Sequence, residues 1–351
     1  MRMLIGGISL TLTLTTLLVM LWSVVPAPLY RLFMVSVGAS EWSIWIGLLA
    51  LVGLGLAGWV IALGSTRLGS VSIILGLCAI ILAAKPPLQA LRVASHEGVS
   101  LSLTRYLFGK QTPPESLQVM QNVVYAEVDG RELHLDVYRP KQGAPADTAR
   151  LPAIVVVHGG SWSGGSKGEF SAMSRTLAQN GAVVFDVEYR LASANTPFPA
   201  QIADVKCAIG WVKDNAQTYH VDPQRIALLG RSAGGQLALL AAYTPDHPLL
   251  QPSCMVQDTT VRAVISFYAP VDLAWGYDHP SRPDIINSQA TLRNYLNGTP
   301  RTHANVYQLA SPTAHVTASS PPTLIIHGEF DHIVGVQHAH FMTEALQRAQ
   351  V

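Results

Sequence analysis

The stretch RIALLGRSAGGQLALLAAY, residues 225–243, decides the fold. Arg225–Leu229 is a short apolar run that reads as a strand, and Ser232–Tyr243 is apolar enough to read as a buried helix. Between them stands Gly230-Arg231-Ser232-Ala233-Gly234, a GxSxG pattern. A serine at a strand-to-helix corner adopts a strained backbone conformation, and glycines two positions either side remove the Cβ atoms that would clash there. Its Oγ is then lifted above the sheet edge at a helix N-terminus, where the dipole favours a developing anion. The pentapeptide alone is common. Its two flanks make Ser232 a candidate nucleophile.

Upstream, Ala153–Val157 is an unbroken apolar run rich in β-branched residues, as expected of a strand buried on both faces of a parallel sheet. It leads directly into His158-Gly159-Gly160-Ser161-Trp162. Acyl transfer puts negative charge on a carbonyl oxygen, and preorganised backbone N–H groups stabilise it. A Gly-Gly corner brings main-chain donors close to a substrate, so Gly160, Ser161 and Ala233 are candidate oxyanion-hole donors. His158 and Gly159 support the corner, His158 by a hydrogen bond that pins the loop. Around these motifs the elements alternate. A hairpin at Val123–Val128 and Glu132–Tyr138 turns on Asp129-Gly130. Helices are expected at 170–180, 200–217 and 336–350, and further strands at 182–187, 261–267 and 323–326. Strands alternating with helices predict an α/β fold with a mostly parallel sheet.

The two motifs, with Glu188-Tyr189-Arg190-Leu191-Ala192 between them, resemble the esterase/lipase branch of the α/β-hydrolase superfamily. The hormone-sensitive-lipase-like and feruloyl- and acetylxylan-esterase-like groups are the nearest in pattern, and HGGxW is also similar to arylformamidases. The resemblance covers about residues 120–345. It implies Ser232 as nucleophile, Gly160, Ser161 and Ala233 as the oxyanion hole, and the Tyr189-Arg190 segment as a buttress. Ser161 stands where many relatives carry a third glycine. The pattern HGxxDxxV at His327–Val334 implies Asp331 as the acid of a triad, with Asp272 the fallback. The family order is Ser, Asp, His, and only 20 residues follow Asp331. They hold His332, His338 and His340, none in the family's setting. His338 and His340 fall in the first turns of the last helix, where surface positions are expected. The family histidine is therefore expected to be absent, along with the fold's last strand and helix, and residues 117–351 are read as the hydrolase domain.

The front of the chain is physically different. Residues 1–84 carry four charged side chains, Arg2, Arg31, Glu41 and Arg67, and the remaining 267 residues hold the other 41. Residues 3–25, 42–64 and 68–84 are free of charge. The first two reach roughly 34 Å as helices and the third roughly 25 Å, against a bilayer core of roughly 30 Å. They predict about three membrane spans, with Trp22, Trp42, Trp45 and Trp59 near the span ends as an aromatic belt. The first stretch exceeds a usual signal core and lacks a small-x-small cleavage site before Pro26, so it reads as a span. Three spans place the soluble body across the membrane from the N-terminus. Arg2 ahead of the first helix favours an exported body. Residues 85–116, with Pro86-Pro87 and Pro113-Pro114, read as a linker in which 88–108 is a tether or a helix on the membrane surface.

A net charge of +1 removes a nucleic-acid partner. Three cysteines without CxxC exclude a cysteine zinc site, and whether Cys207 and Cys254 pair stays open. Gly53-Leu-Gly55-Leu-Ala-Gly58 spells GxGxxG, but mid-span, where small residues serve helix packing. No metal or cofactor is expected. The long excursion 269–310, with Trp275, Tyr277, Tyr295 and Tyr307, either shapes a substrate pocket or is a surface loop around one helix at 286–296. The expected function is a membrane-anchored serine hydrolase acting on a small-molecule acyl ester. The alternatives are a catalytically impaired binding protein of the same fold and an amide hydrolase.

Overall fold

The computed structural model describes residues 1–96, 98–102, 116–141, 150–281 and 285–351. Much of the connector, residues 103–115, therefore lies outside the described residues. The chain divides into two compact units, an N-terminal helical one and a C-terminal one built on a sheet.

The N-terminal unit contains α1 (Arg2–Leu21), α2 (Tyr30–Glu41), α3 (Ser43–Ala62) and α4 (Thr66–His96). The first, third and fourth are each long and apolar enough to cross a membrane, with mean hydropathy between 2.1 and 2.3. Their buried positions repeat at spacings of three and four: Gly6, Ser9, Thr13, Thr16 and Met20 on α1, and Gly69, Ser72, Gly76, Ala79 and Ala83 on α4. Ala50, Gly53, Ala57 and Val60 continue the pattern on α3. Such a repeat lines up one seam on each helix. Small residues on the seams bring the backbones close, while Leu4, Ile8, Leu51, Ile74 and Ile81 point outward and are exposed.

Three expectations for this region change. The proline pair does not end the third span: α4 continues through Pro86-Pro87 to His96. Each proline removes one bond to the carbonyl four residues back, and the turns on either side keep the rest of the ladder. Residues 30–41, unassigned in the sequence reading, form α2, with Ala39 packed between Met20 and Ala83. Of the GxGxxG glycines only Gly53 packs on another helix, against Thr13. Gly55 and Gly58 face open space, so close approach explains one glycine of the three.

The C-terminal unit is a seven-stranded sheet in the order β1-β2-β4-β3-β5-β6-β7. The strands are β1 (Leu117–Val128), β2 (Arg131–Pro140), β3 (Leu151–Val157), β4 (Val183–Val187), β5 (Val221–Arg231), β6 (Ala263–Phe267) and β7 (Thr323–Ile326). The hairpin joins antiparallel, and β4, β3, β5, β6 and β7 run parallel. After β3 the chain builds β4 on one side and returns to add β5 on the other. This switch of direction opens a crevice at the carboxyl ends of β3 and β5, where both motifs lie.

α5 (Ser171–Gln179) packs on one face, where Ala178 joins Tyr138, Val156, Val184 and Leu229. α6 (Ala200–Asp214) and α7 (Ala233–Tyr243) pack on the other with Val155, Phe185 and Leu228. Every residue of α7 is buried, which explains its continuous apolar run. α8 (Leu273–Asp278), α9 (Ser288–Leu296) and α10 (Ala304–Ala310) make up the long excursion, and α11 (Gln337–Arg348) follows β7. β7 is an edge strand at the opposite side from β1, and its Leu324 and Ile326 are exposed. Cys207 on α6 and Cys254 form a disulfide that closes a loop of 47 residues. Beside it Lys206 is fully buried, and its ammonium donates to the carbonyls of Thr244, Pro245 and Leu250 at the end of α7.

Candidate active site

Ser232 is the residue that turns β5 into α7. Its φ of 53° and ψ of −123° lie where a residue with a Cβ is strained. A Cβ on Gly230 would run into the Gly234 carbonyl, and one on Gly234 into the carbonyls of Val157 and His158. Both glycines are thus required by close approach, as the spacing predicts. The serine N–H donates to Phe267 O at 2.9 Å, which fixes the elbow to β6. No side chain caps α7, and its first intrahelical bond is Gln236 N–H to Ser232 O at 3.1 Å.

The His158–Trp162 corner abuts this elbow. A Cβ on Gly159 would sit 3.0 Å from Arg231 O and 3.4 Å from Ser232 Cβ. Gly160, Ser161 and Trp162 all have positive φ, 115°, 54° and 61°. This run turns the main chain back on itself, with Gly164 N–H donating to Gly160 O at 2.8 Å. Among the described residues, no hydrogen-bond partner holds the N–H of Gly160, Ser161 or Ala233. His158 is buried, its Nδ1 2.6 Å from Gly159 O and its ring stacked on Tyr189 at 4.3 Å. Burial holds its pKa below the usual imidazole value, so it stays neutral. Tyr189 OH donates to His158 O at 3.1 Å, and Arg190 forms ion pairs with Asp204 and Asp129. The Tyr189-Arg190 segment therefore braces the corner from below.

Asp331 lies in the turn after β7, two strands across from the serine's strand, about 10 Å at usual strand spacing. Its Oδ1 accepts from Ile333 N at 2.8 Å and Val334 N at 2.9 Å. Oδ2 is 3.7 Å from His327 Nε2, whose proton goes instead to Val334 O at 2.7 Å. The carboxylate is thus oriented through one oxygen, with the other left for a further partner. Asp272 caps α8 by accepting from Trp275 N at 2.9 Å, which accounts for it without a catalytic role.

The histidines of α11 part company. His340 is exposed as expected. His338 is not a surface residue: it is buried, its ring edge-on to Trp275 at 5.1 Å, and its Nδ1 accepts from Val271 N at 3.2 Å. The first turn of α11 packs under α8, and burial brings the imidazole down to a pKa of about 4. Among the described residues no histidine bridges Ser232 and Asp331.

Two features escaped the sequence reading. Gln236, alone among leucines and alanines on α7, accepts from Trp162 Nε1 at 2.8 Å and Tyr295 OH at 3.3 Å, and donates to Ala310 O at 2.7 Å. A lone amide inside a buried helix was the available signal. Tyr295 stacks on Trp162 at 4.3 Å, so the excursion reaches the corner and is more than a surface loop. Tyr268, at the end of β6 beside the elbow, also has positive φ, 40°. No local sequence pattern marks it.

A parallel sheet with a strained serine between β5 and α7, facing a Gly-Gly corner after β3, defines an α/β-hydrolase. The chain belongs to the BD-FAE family, whose model matches residues 135–346. It is 36% identical over 232 residues to the probable carboxylic ester hydrolase LipM of Mycobacterium tuberculosis, covering 65% of this chain and 51% of that protein. It is likewise 35% identical to the esterase LipC of that organism, over 62% of this chain and 53% of the relative. The chain thus spans about half the length of these curated relatives. Among solved structures, esterase 2 of Thermogutta terrifontis, phosphonylated by sarin, superposes with a TM-score of 0.55 at 31% identity. The match covers 68% of this chain and 83% of that one.

Proposed function

We propose that the chain is a membrane-anchored serine hydrolase that cleaves small carboxylic esters through an acyl-enzyme. The observation that carries this reading is the contact between the two corners at Gly159. There the strained serine packs against the corner that carries Gly160 and Ser161, whose N–H groups, like that of Ala233, have no hydrogen-bond partner among the described residues. In this mechanism Ser232 Oγ adds to the ester carbonyl carbon and gives its proton to a general base. The carbonyl oxygen, now negative, accepts from the N–H groups of Gly160, Ser161 and Ala233. Collapse expels the alcohol, which takes up that proton, and water repeats the sequence on the acyl group. Asp331, with Oδ2 free, orients the base. The comparisons support ester chemistry, since the named relatives are ester hydrolases and an organophosphate modifies one of the solved esterases.

The three apolar helices with exposed leucines and isoleucines support anchoring in a bilayer. The Cys207–Cys254 disulfide supports a hydrolase unit on the exported, oxidising side. Alkylation of the two thiols in intact cells, with and without reductant, tests the sidedness.

A second reading rests on a specific observation: no histidine among the described residues stands between Ser232 and Asp331. In this reading the 351-residue chain binds acyl esters without turning them over. A fluorophosphonate probe separates the two. Labelling of the native chain, lost in Ser232→Ala and slowed at least about tenfold in Asp331→Asn, supports the hydrolase. An unlabelled native chain supports the binding protein.

A further inference from the structure

We infer that Gln236 is a positioning residue that sets the gap between the nucleophile and the oxyanion corner, a role that rests on the hydrolase reading. Gln236 lies one turn beyond Ser232, and its N–H donates to Ser232 O at 3.1 Å. Its side chain is fully buried, and each of its bonds reaches a different part of the site. Oε1 accepts the Trp162 indole N–H at 2.8 Å and the Tyr295 hydroxyl at 3.3 Å. The amide nitrogen donates to Ala310 O at 2.7 Å. An indole N–H only donates and a carbonyl only accepts, so one amide orientation alone satisfies all partners. Reversing it would leave buried groups unpaired at a cost well above a normal hydrogen bond.

What distinguishes a brace from an ordinary satisfied amide is what it holds. Trp162 is the chain neighbour of Ser161, a candidate oxyanion donor, and has a left-handed φ of 61° that a bulky residue does not keep unaided. Its indole is gripped by Gln236 at the N–H and by Tyr295 across the ring face, 4.3 Å away and 4° from parallel. The bond from Trp162 to Gln236 thus joins the corner directly to the serine's own helix. Oxyanion donors act by being fixed before charge appears, so small errors in this gap reduce turnover more than binding.

Three substitutions in the full chain test this. Trp162→Phe keeps the ring stack and removes only the N–H. Gln236→Met keeps volume and removes both acceptor and donor. Gln236→Glu keeps the acceptor and, with its buried carboxyl protonated, an O–H donor to Ala310 O. The readouts are the rate of fluorophosphonate labelling, kcat and KM for p-nitrophenyl acetate, thermal midpoint, and backbone hydrogen exchange over residues 159–164. Trp162→Phe and Gln236→Met should each slow labelling and kcat at least about tenfold with KM within about twofold, and the double variant should be no slower than the worse single. Exchange in 159–164 should rise about tenfold in both, and Gln236→Glu should keep most of the activity and protection that Gln236→Met loses. Unchanged exchange and labelling in Trp162→Phe, or Gln236→Glu as slow as Gln236→Met, overturns the brace. Should the native chain itself fail to label, the hydrolase reading falls, and the exchange data alone decide whether Gln236 holds the corner.

Discussion

The two units solve packing in opposite ways. In the hydrolase unit large side chains are inside: Phe185, Leu228, Leu237 and Tyr295 are fully buried. In the helical unit the seams carry glycine, alanine, serine and threonine, and the leucines and isoleucines face out. Water rewards burying apolar area, so a soluble core fills with bulk. Lipid does not, so helices associate through close backbone contact instead. Polar burial differs in the same way. Among the described residues the only polar groups the bundle buries are hydroxyls, most of them returned to their own helix, as Thr13 to Ser9 O at 2.9 Å and Ser72 to Leu68 O at 3.0 Å. The hydrolase buries full charges, among them Asp186, Asp204, Lys206 and Arg231. An interior built on a folded polar scaffold can offer such groups partners, as Arg190 does for Asp204 and three carbonyls do for Lys206, whereas the seams offer hydroxyls chiefly backbone.

This contrast predicts opposite responses to changes in volume. The largest effect should come from the covalent link that only the hydrolase unit has. Replacing Cys207 and Cys254 by serine opens a loop of 47 residues, a loss of about 4 kcal/mol on loop-closure grounds. Thermal unfolding in detergent would register it, and an unchanged midpoint would contradict the pairing. Next, Leu237→Ala removes bulk from the helix behind the serine and should destabilise by about 3 kcal/mol. In the bundle the harmful change is the reverse. Gly53→Leu forces a side chain into Thr13 and should cost about 2 kcal/mol, whereas Gly55→Leu, facing open space, should cost less than about 0.5 kcal/mol. If Gly55→Leu proves as damaging as Gly53→Leu, the seams have been assigned to the wrong faces.

What the sequence made legible follows from how local each cause is. The elbow was readable because Gly230 and Gly234 answer to steric demands within five residues, and the corner because His158–Trp162 adjoins an unmistakable buried strand. The turn that carries Asp331 was readable from a short pattern because the amides that hold its carboxylate come from that same turn. The misses have non-local causes. His338 was read as surface because nothing within α11 shows that α8 covers it. Gln236 was passed over because its partners lie 74, 59 and 74 positions away. α4 outran its proline pair because local propensity penalises each proline without counting the turns that flank them.

The smallest effect probes the buried charges that set the hydrolase unit apart. Asp136 and Asp186 face each other in register on β2 and β4. Lys167 pairs with Asp136 at 2.8 Å, while among the described residues Asp186 accepts from Gly168 N–H at 3.1 Å and Ser174 OH at 3.2 Å alone, with Arg231 at longer range. Burial dominates, and the Asp186 carboxyl is pushed up to about 6 from its ordinary value of 3.8. Between about pH 4 and 6 the folded chain therefore holds a proton that the unfolded chain has released. Stability attributable to this group falls as pH rises through that window and stays low above it. Asp186→Asn should be more stable than the native chain at pH 7.5 and equal to it near pH 4. The gain should be only about 1 kcal/mol, because the neutral amide gives up the stronger, charge-assisted form of the bonds from Gly168 and Ser174. Melting curves of both proteins across that range read the difference directly. A gap that does not change with pH would mean that Asp186 is ionised across the whole window and that burial does not raise its carboxyl.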